Sequence, residues 1–221
     1  MRGTPVGVLL TLAAVVIDAP APAPAQTQVI VPTGIVIMKD DSTPPINLKT
    51  RYVKFKSRTK LAPVVNQVVP PAPGSEGDPT PDGATGGGAT FTVYNAAGSG
   101  EIFSIDLPAA RWVAYKGPLY IFSDGSGTIL KVYVRPYKLY VRGGGPGWGY
   151  TLDEASQGRV GVRLRLGTGI EWCAEATPHP PARTYDHRDR FFSGKTTAPD
   201  ACPPLPTTTQ TTTTTTETTL P

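Results

Sequence analysis

The chain's 221 residues include 24 glycines and 25 prolines, which leaves little room for long helices and favours one β-rich domain with a sizeable core. Its 21 lysines and arginines against 17 aspartates and glutamates give a net charge of only +4. So mild an excess does not by itself predict a polyanion partner.

Met1-Arg2 precede an apolar run from Val6 to Ile17, and Ala23-Pro24-Ala25 stands before Gln26. This is the layout of a secretory signal peptide over residues 1–25, with an apolar run too short to span a membrane. The domain itself is expected over residues 26–206. Val29 to Val31 and Gly34 to Lys39 read as an opening strand, closed by the turn cluster Asp40 to Pro45. Leu48 to Ser57 interleaves β-formers with Lys and Arg, the pattern of an edge or half-exposed strand guarded by charge. Val64 to Val69 is a further strand candidate. From 70 to 89 the composition shifts to PPAPGSEGDPTPDGATGGGA, with too little apolar side chain to pack, so a disordered surface loop is expected. Its Glu76, Asp78 and Asp82 do not match the spacing of a calcium loop.

Thr90 to Asn95 and Glu101 to Leu107, joined through Ala-Ala-Gly-Ser-Gly, predict an antiparallel hairpin, and Arg111 to Lys116 and Leu119 to Ser123 read as two more strands. Ile129 to Arg135 and Lys138 to Arg142 flank Pro136-Tyr137. A two-residue turn there sets Val134 opposite Leu139, Val132 opposite Val141, Tyr133 opposite Tyr140 and Lys131 opposite Arg142, so that the faces sort by character. Thr151 and Glu154 have the spacing of a capping box, which predicts a short helical turn over Leu152 to Gln157. From Val160, apolar residues fall at every second position through Leu166, and the alternation resumes at Ile170 after Gly167-Thr168-Gly169. Only a three-residue loop keeps the apolar face whole, pairing Leu166 with Ile170, Arg165 with Glu171 and Leu164 with Trp172; Gly169 then takes the left-handed position. Tyr185 to Phe192 supplies a last strand or docks on the core. Residues 207–221 are Thr-rich and read as a solvated spacer.

Two cysteines in an exported protein pair as a rule. A bridge from Cys173 to Cys202 closes a loop of about 30 residues and contributes roughly 3–4 kcal/mol on the chain-entropy model. Cys173 points opposite to Trp172, so the bridge should staple the C-terminal segment across the outside of the sheet.

Catalytic sets are sparse. No G-x-S-x-G elbow occurs. His187, between Asp186 and Arg188, is the one candidate base, and the adjacent Asp153 and Glu154 do not by themselves set the separation that glycoside cleavage needs. No catalytic residue, metal ligand or cofactor site is assigned. The better candidate surface is the polar face of the two late hairpins: Lys131, Tyr133, Arg135, Lys138, Tyr140 and Arg142 on one, Arg159, Arg163 and Arg165 on the other. Arrays of Arg and Tyr suit acidic polysaccharide or lipopolysaccharide through charge-assisted hydrogen bonds and ring stacking. Export makes nucleic acid the poorer guess.

At TLDEASQGRVGVRLRLG (151–167), the pair Trp172-Cys173, and APDACPPLP (198–206) with its threonine tail, the chain resembles a group of uncharacterised exported β-rich bacterial proteins. The resemblance implies an extracytoplasmic module and carries over no active residue. The expectation is therefore all-β: a single antiparallel β-sandwich, Ig-like or jelly-roll-like, of about nine or ten strands with one disulfide. Its expected role is a non-enzymatic structural or adhesive module of the cell surface or matrix, the alternatives being a carbohydrate-binding module and an unrecognised hydrolase. Expected partners are surface polysaccharide, or a second copy through a sheet edge.

Overall fold

The computed structural model describes residues 26–40, 46–98 and 100–206. The leader, most of the Asp40 to Pro45 turn and the Thr-rich tail lie outside the described residues. The strands are β1 (Thr27–Ile30), β2 (Ile35–Lys39), β3 (Tyr52–Arg58), β4 (Ala89–Asn95), β5 (Ile102–Leu107), β6 (Trp112–Tyr115), β7 (Leu119–Ser123), β8 (Ile129–Arg135), β9 (Lys138–Gly144), β10 (Val160–Leu166), β11 (Ile170–Ala176), β12 (Asp186–His187) and β13 (Arg190–Ser193), with one α-helical turn, α1 (Ala182–Tyr185), and short 3-10 turns at Leu48–Thr50, Val64–Asn66 and Ala109–Arg111. They form two sheets, five-stranded in the order β1-β11-β10-β4-β5 and eight-stranded in the order β12-β13-β2-β3-β9-β8-β7-β6. All pairs are antiparallel except β1 with β11. The protein is an all-β sandwich.

Alternation explains which side of each strand is buried. Val160, Val162, Leu164 and Leu166 of β10, Trp172, Ala174 and Ala176 of β11, and Phe91 and Val93 of β4 face one way. Val53 and Phe55 of β3, Leu139 and Val141 of β9, Val132 and Val134 of β8, and Tyr120 and Phe122 of β7 face them from the other sheet. Together they make one core, closed at one end by Trp148, Tyr150 and Leu152. Each large side chain so buried contributes about 1.5–3 kcal/mol.

Both hairpin registers follow the sorting of faces: Leu166 opposes Ile170 and Leu164 opposes Trp172, while Val134 opposes Leu139 and Tyr133 opposes Tyr140. Several local expectations are corrected. The opening strand is split, because the chain leaves the five-stranded sheet after β1 and enters the eight-stranded sheet as β2; with the short β12 and β13 this raises the strand count above nine or ten. Of the two alternatives for β3, the half-exposed strand holds and the edge does not, since it lies between β2 and β9. Val64 to Val69 forms no strand: Val64–Asn66 is a 3-10 turn, and the N–H of Val68 is spent on the buried Thr59 hydroxyl rather than on a neighbouring strand. No helix forms over Leu152 to Gln157. The N–H and hydroxyl of Thr151 both bond the carboxylate of Glu101, so the cap is used elsewhere.

The 70–89 stretch has no strand before Ala89 but does not lie loose. Asp78 is buried, and its carboxylate accepts from the N–H of Gly74 (2.7 Å), the N–H of Thr80 (2.9 Å) and the Thr80 hydroxyl (2.8 Å). Polar turns thus supply the cohesion that apolar side chains do not. The stretch also wraps the β10–β11 loop, where Gly167 and Thr168 donate to the carbonyls of Gly88 (2.9 Å) and Glu76 (3.1 Å). This contact places Gly167, not Gly169, in the left-handed region, at φ 49°. A Cβ on Gly167 would stand 2.1 Å from the Glu76 carbonyl oxygen.

Cys173 and Cys202 are joined, and the C-terminal segment crosses the outside of the five-stranded sheet as expected. The Pro203 carbonyl accepts from the Tyr94 hydroxyl (2.6 Å) and from Arg163 (2.5 Å). Gly167→Ala should lower the urea midpoint by an amount equivalent to about 1–3 kcal/mol, from strain and the lost loop contact. Reducing the disulfide, or Cys202→Ala, should cost about 3–4 kcal/mol in the same measurement.

Candidate binding face

The outward residues of the eight-stranded sheet fall into rows that cross the strands. Lys54 of β3 stands opposite Arg142 of β9, which stands opposite Lys131 of β8. The next row runs Lys56, Tyr140, Tyr133, and the next Arg58, Lys138, Arg135. The rows arise because β3, β8 and β9 each alternate apolar-in with basic or aromatic-out, and their registers keep the polar members aligned.

This face is basic and lacks compensation. Among the described residues the ion pairs join Arg51 to Asp40, Arg159 to Glu175 and Arg163 to Glu171, and none of them reaches the rows just named. Partial burial, together with Arg58 and Lys54, holds the Lys56 amine below its ordinary range. Lys138 is lowered likewise, by burial first and then by Arg135, Lys56 and Arg58. The tyrosines are held among the cations: the Tyr133 and Tyr140 rings are 5.7 Å apart and tilted by 50°, the Lys131 amine is 5.0 Å from the Tyr133 ring centre, and the Arg142 guanidinium is 5.9 Å from that of Tyr52. The face therefore offers anion-binding groups and half-buried rings side by side.

Of the residues singled out in the sequence, Lys131, Tyr133, Arg135, Lys138, Tyr140 and Arg142 are brought together. Arg159, Arg163 and Arg165 are not part of that surface, because β10 belongs to the other sheet and its polar side faces the opposite side of the sandwich. Arg163 is a strut: it pairs with Glu171 at 3.1 Å, lies over the Tyr94 ring and donates to Pro203. Arg159 pairs with Glu175 at 3.5 Å, and Arg165 donates to the Thr90 hydroxyl at 3.2 Å. Lys54, Lys56 and Arg58 were missed as site residues. Their alternation was visible, but β3's place beside β9 was not.

The other candidates disperse. His187 is exposed, with Nδ1 2.7 Å from the Arg188 carbonyl, while the neighbouring Asp186 turns inward to accept from Ser156 (2.6 Å) and from the N–H groups of Gln157 (2.6 Å) and Gly158 (2.7 Å). Asp153 and Glu154 gather with Glu101, their carboxylate oxygens within 4.8 Å of one another. Glu101 comes from the turn before β5, where sequence spacing gives no hint of it. Buried Gln157 ties this corner to the core, accepting from the Tyr150 hydroxyl (2.7 Å) and the Asn95 amide (3.1 Å) and donating to Glu154.

No family model matches the chain, and neither a curated protein nor a solved structure is similar to it at a significant level. No helix among the described residues is long and apolar enough to cross a membrane. The disulfide fits an oxidising, extracytoplasmic compartment.

Burial raises the Glu101 carboxyl above its ordinary value, against the hydrogen bonds from Thr151 and with the added repulsion of Glu154 and Asp153. The native state then binds this proton more tightly than the unfolded chain, so stability should fall as pH rises from the ordinary value of 4.5 through the raised one. Glu101→Gln keeps the acceptor for Thr151, and should flatten that part of the pH profile of the urea midpoint.

Proposed function

We propose that the protein is an exported, non-catalytic module that holds an acidic polysaccharide against the outer face of its eight-stranded sheet, as an adhesive or structural component of the cell surface or matrix. The observation that carries this reading is the set of aligned basic rows on β3, β9 and β8, which no ion pair among the described residues neutralises. Strands about 4.8 Å apart place successive cations at roughly the length of one pyranose unit, so a uronate chain lying across the strands meets a charge at each step. Tyr133 and Tyr140 offer ring faces for the sugar carbons between charges. Export is supported by the leader-like residues 1–25 and by the disulfide.

The test is titration of polygalacturonate, with dextran as the uncharged control. The protein should bind polygalacturonate and not dextran, and binding should weaken steeply as salt is raised. Lys131→Ala with Arg142→Ala should weaken it about tenfold or more, since each charge-assisted contact contributes roughly 1.5–3 kcal/mol before screening. Arg159→Ala should leave it unchanged. Equal binding by the double variant would remove the face from consideration, and preferential capture of single-stranded DNA would change the ligand class.

A further inference from the structure

The chain between β3 and β4 begins with a closed loop whose tip is apolar although the core does not use it. Thr59 is fully buried at its base, accepting from the Val68 N–H at 2.9 Å through its hydroxyl and from Ala62 at 3.0 Å through its carbonyl. Asn66 and Gln67 donate back to Pro63 and Val64, and the Asn66 side chain donates to Ile30 of β1 at 2.8 Å. With its backbone so committed, the loop holds one shape. Yet Leu61 is 94%, Val64 80%, Val65 78% and Val69 62% exposed. A single exposed aliphatic needs no explanation, but this many on one ordered segment marks an interaction surface.

The β8–β9 turn is fastened to the same loop. Thr59 donates to the Tyr137 carbonyl and Tyr137 to the Val68 carbonyl, each at 2.9 Å, which keeps Tyr137 at φ 63° with its ring partly in solvent. Arg58 and Lys60 immediately precede the tip in sequence, and Arg135 and Lys138 flank the Pro136-Tyr137 turn that is fastened to it. A groove of about 1140 Å³ leads from Leu61 to the segment at Lys195, and its charged lining residues are Lys56, Arg58, Lys60 and Lys195. An adjoining groove that includes Val65 has one acidic lining residue, Asp200.

We infer that this end of the sandwich docks on the surface of an anionic lipid bilayer. Leu61, Val64 and Val65 enter the interfacial region, Tyr137 sits at the level of the headgroups, and Arg58, Lys60, Lys138 and Lys195 meet their phosphates. Charge complementarity selects this occupant. Aliphatics that project largely into water, on a loop whose groove at Leu61 is lined by Lys56, Arg58, Lys60 and Lys195, match fluid acyl chains beneath a negative headgroup layer. The lipid contact shares Arg58 and Lys138 with the polysaccharide face, but the tip's aliphatics take no part in that face, so substitutions confined to them separate the two bindings.

The experiment is co-sedimentation of the purified, disulfide-bonded protein with vesicles of phosphatidylcholine alone and of phosphatidylcholine mixed with phosphatidylglycerol. Binding is expected to the mixed vesicles only, with loss of about a thousandfold in the Leu61→Ser, Val64→Ser, Val65→Ser variant, given about tenfold per immersed aliphatic. That variant should still bind polygalacturonate if the face reading holds, and an intact urea transition shows that it is folded. A Leu61→Trp variant should show a blue shift of its added fluorescence with mixed vesicles. No binding to either vesicle, or equal binding by the triple-serine variant, would overturn the inference. So would concentration-dependent dimerisation that the triple variant abolishes without any vesicle binding, which would make the tip a contact between copies.

Discussion

Everything in this molecule depends on one constraint: each sheet has one face that must be dry. Two sheets meet over a single core, and the side chains reaching it recur at every second residue along the long strands, interrupted in β8 by an irregularity between Ile129 and Lys131. A slip of one residue in β10 or β9 would drive arginine or lysine into that core. The burial of Leu164, Trp172, Val141 and their neighbours therefore sets register, and register in turn aligns the basic rows outside. The candidate binding face is a consequence of core packing carried through the sheet.

The two outer faces are built differently. On the five-stranded side the polar residues are largely spent within the protein. Arg163 joins Glu171, Tyr94 and Pro203, and the bridge between Cys173 and Cys202 holds the segment that covers them. On the eight-stranded side, cations stand beside cations, and the Lys56 and Lys138 amines are lowered by burial first and by those neighbours second. A fold under selection only for stability gains nothing from this arrangement. An anionic ligand would relieve it.

Buried polar groups mark where the architecture is held by something other than apolar area. Asp40 meets Arg51 at 2.6 Å and accepts from the Leu152 N–H, while Arg51 also donates to the Trp148 carbonyl, so one ion pair fixes the segment that closes the core. Asp186 and Gln157 do the same for the chain entering β10. Asp78 organises the glycine-rich wrap around the β10–β11 loop. Each substitutes side-chain hydrogen bonds for ladder bonds that irregular backbone does not make.

Local pattern by itself determined a good deal: the all-β class, the residues facing inward, both hairpin registers and the pairing of Cys173 with Cys202. These are legible because alternation, turn length and cysteine count act over short stretches or leave few choices. Only the tertiary structure decided which hairpin belongs to which sheet. Alternation says that Arg142 and Arg163 both point outward, but not that they point to opposite sides of the molecule, nor that Lys54 and Lys56 join the first of them. The same limit hid Glu101 beside Asp153 and Glu154, and Tyr137 against the Thr59 to Val68 loop. Strand order is set by how distant segments share one core, and no window along the chain contains that information.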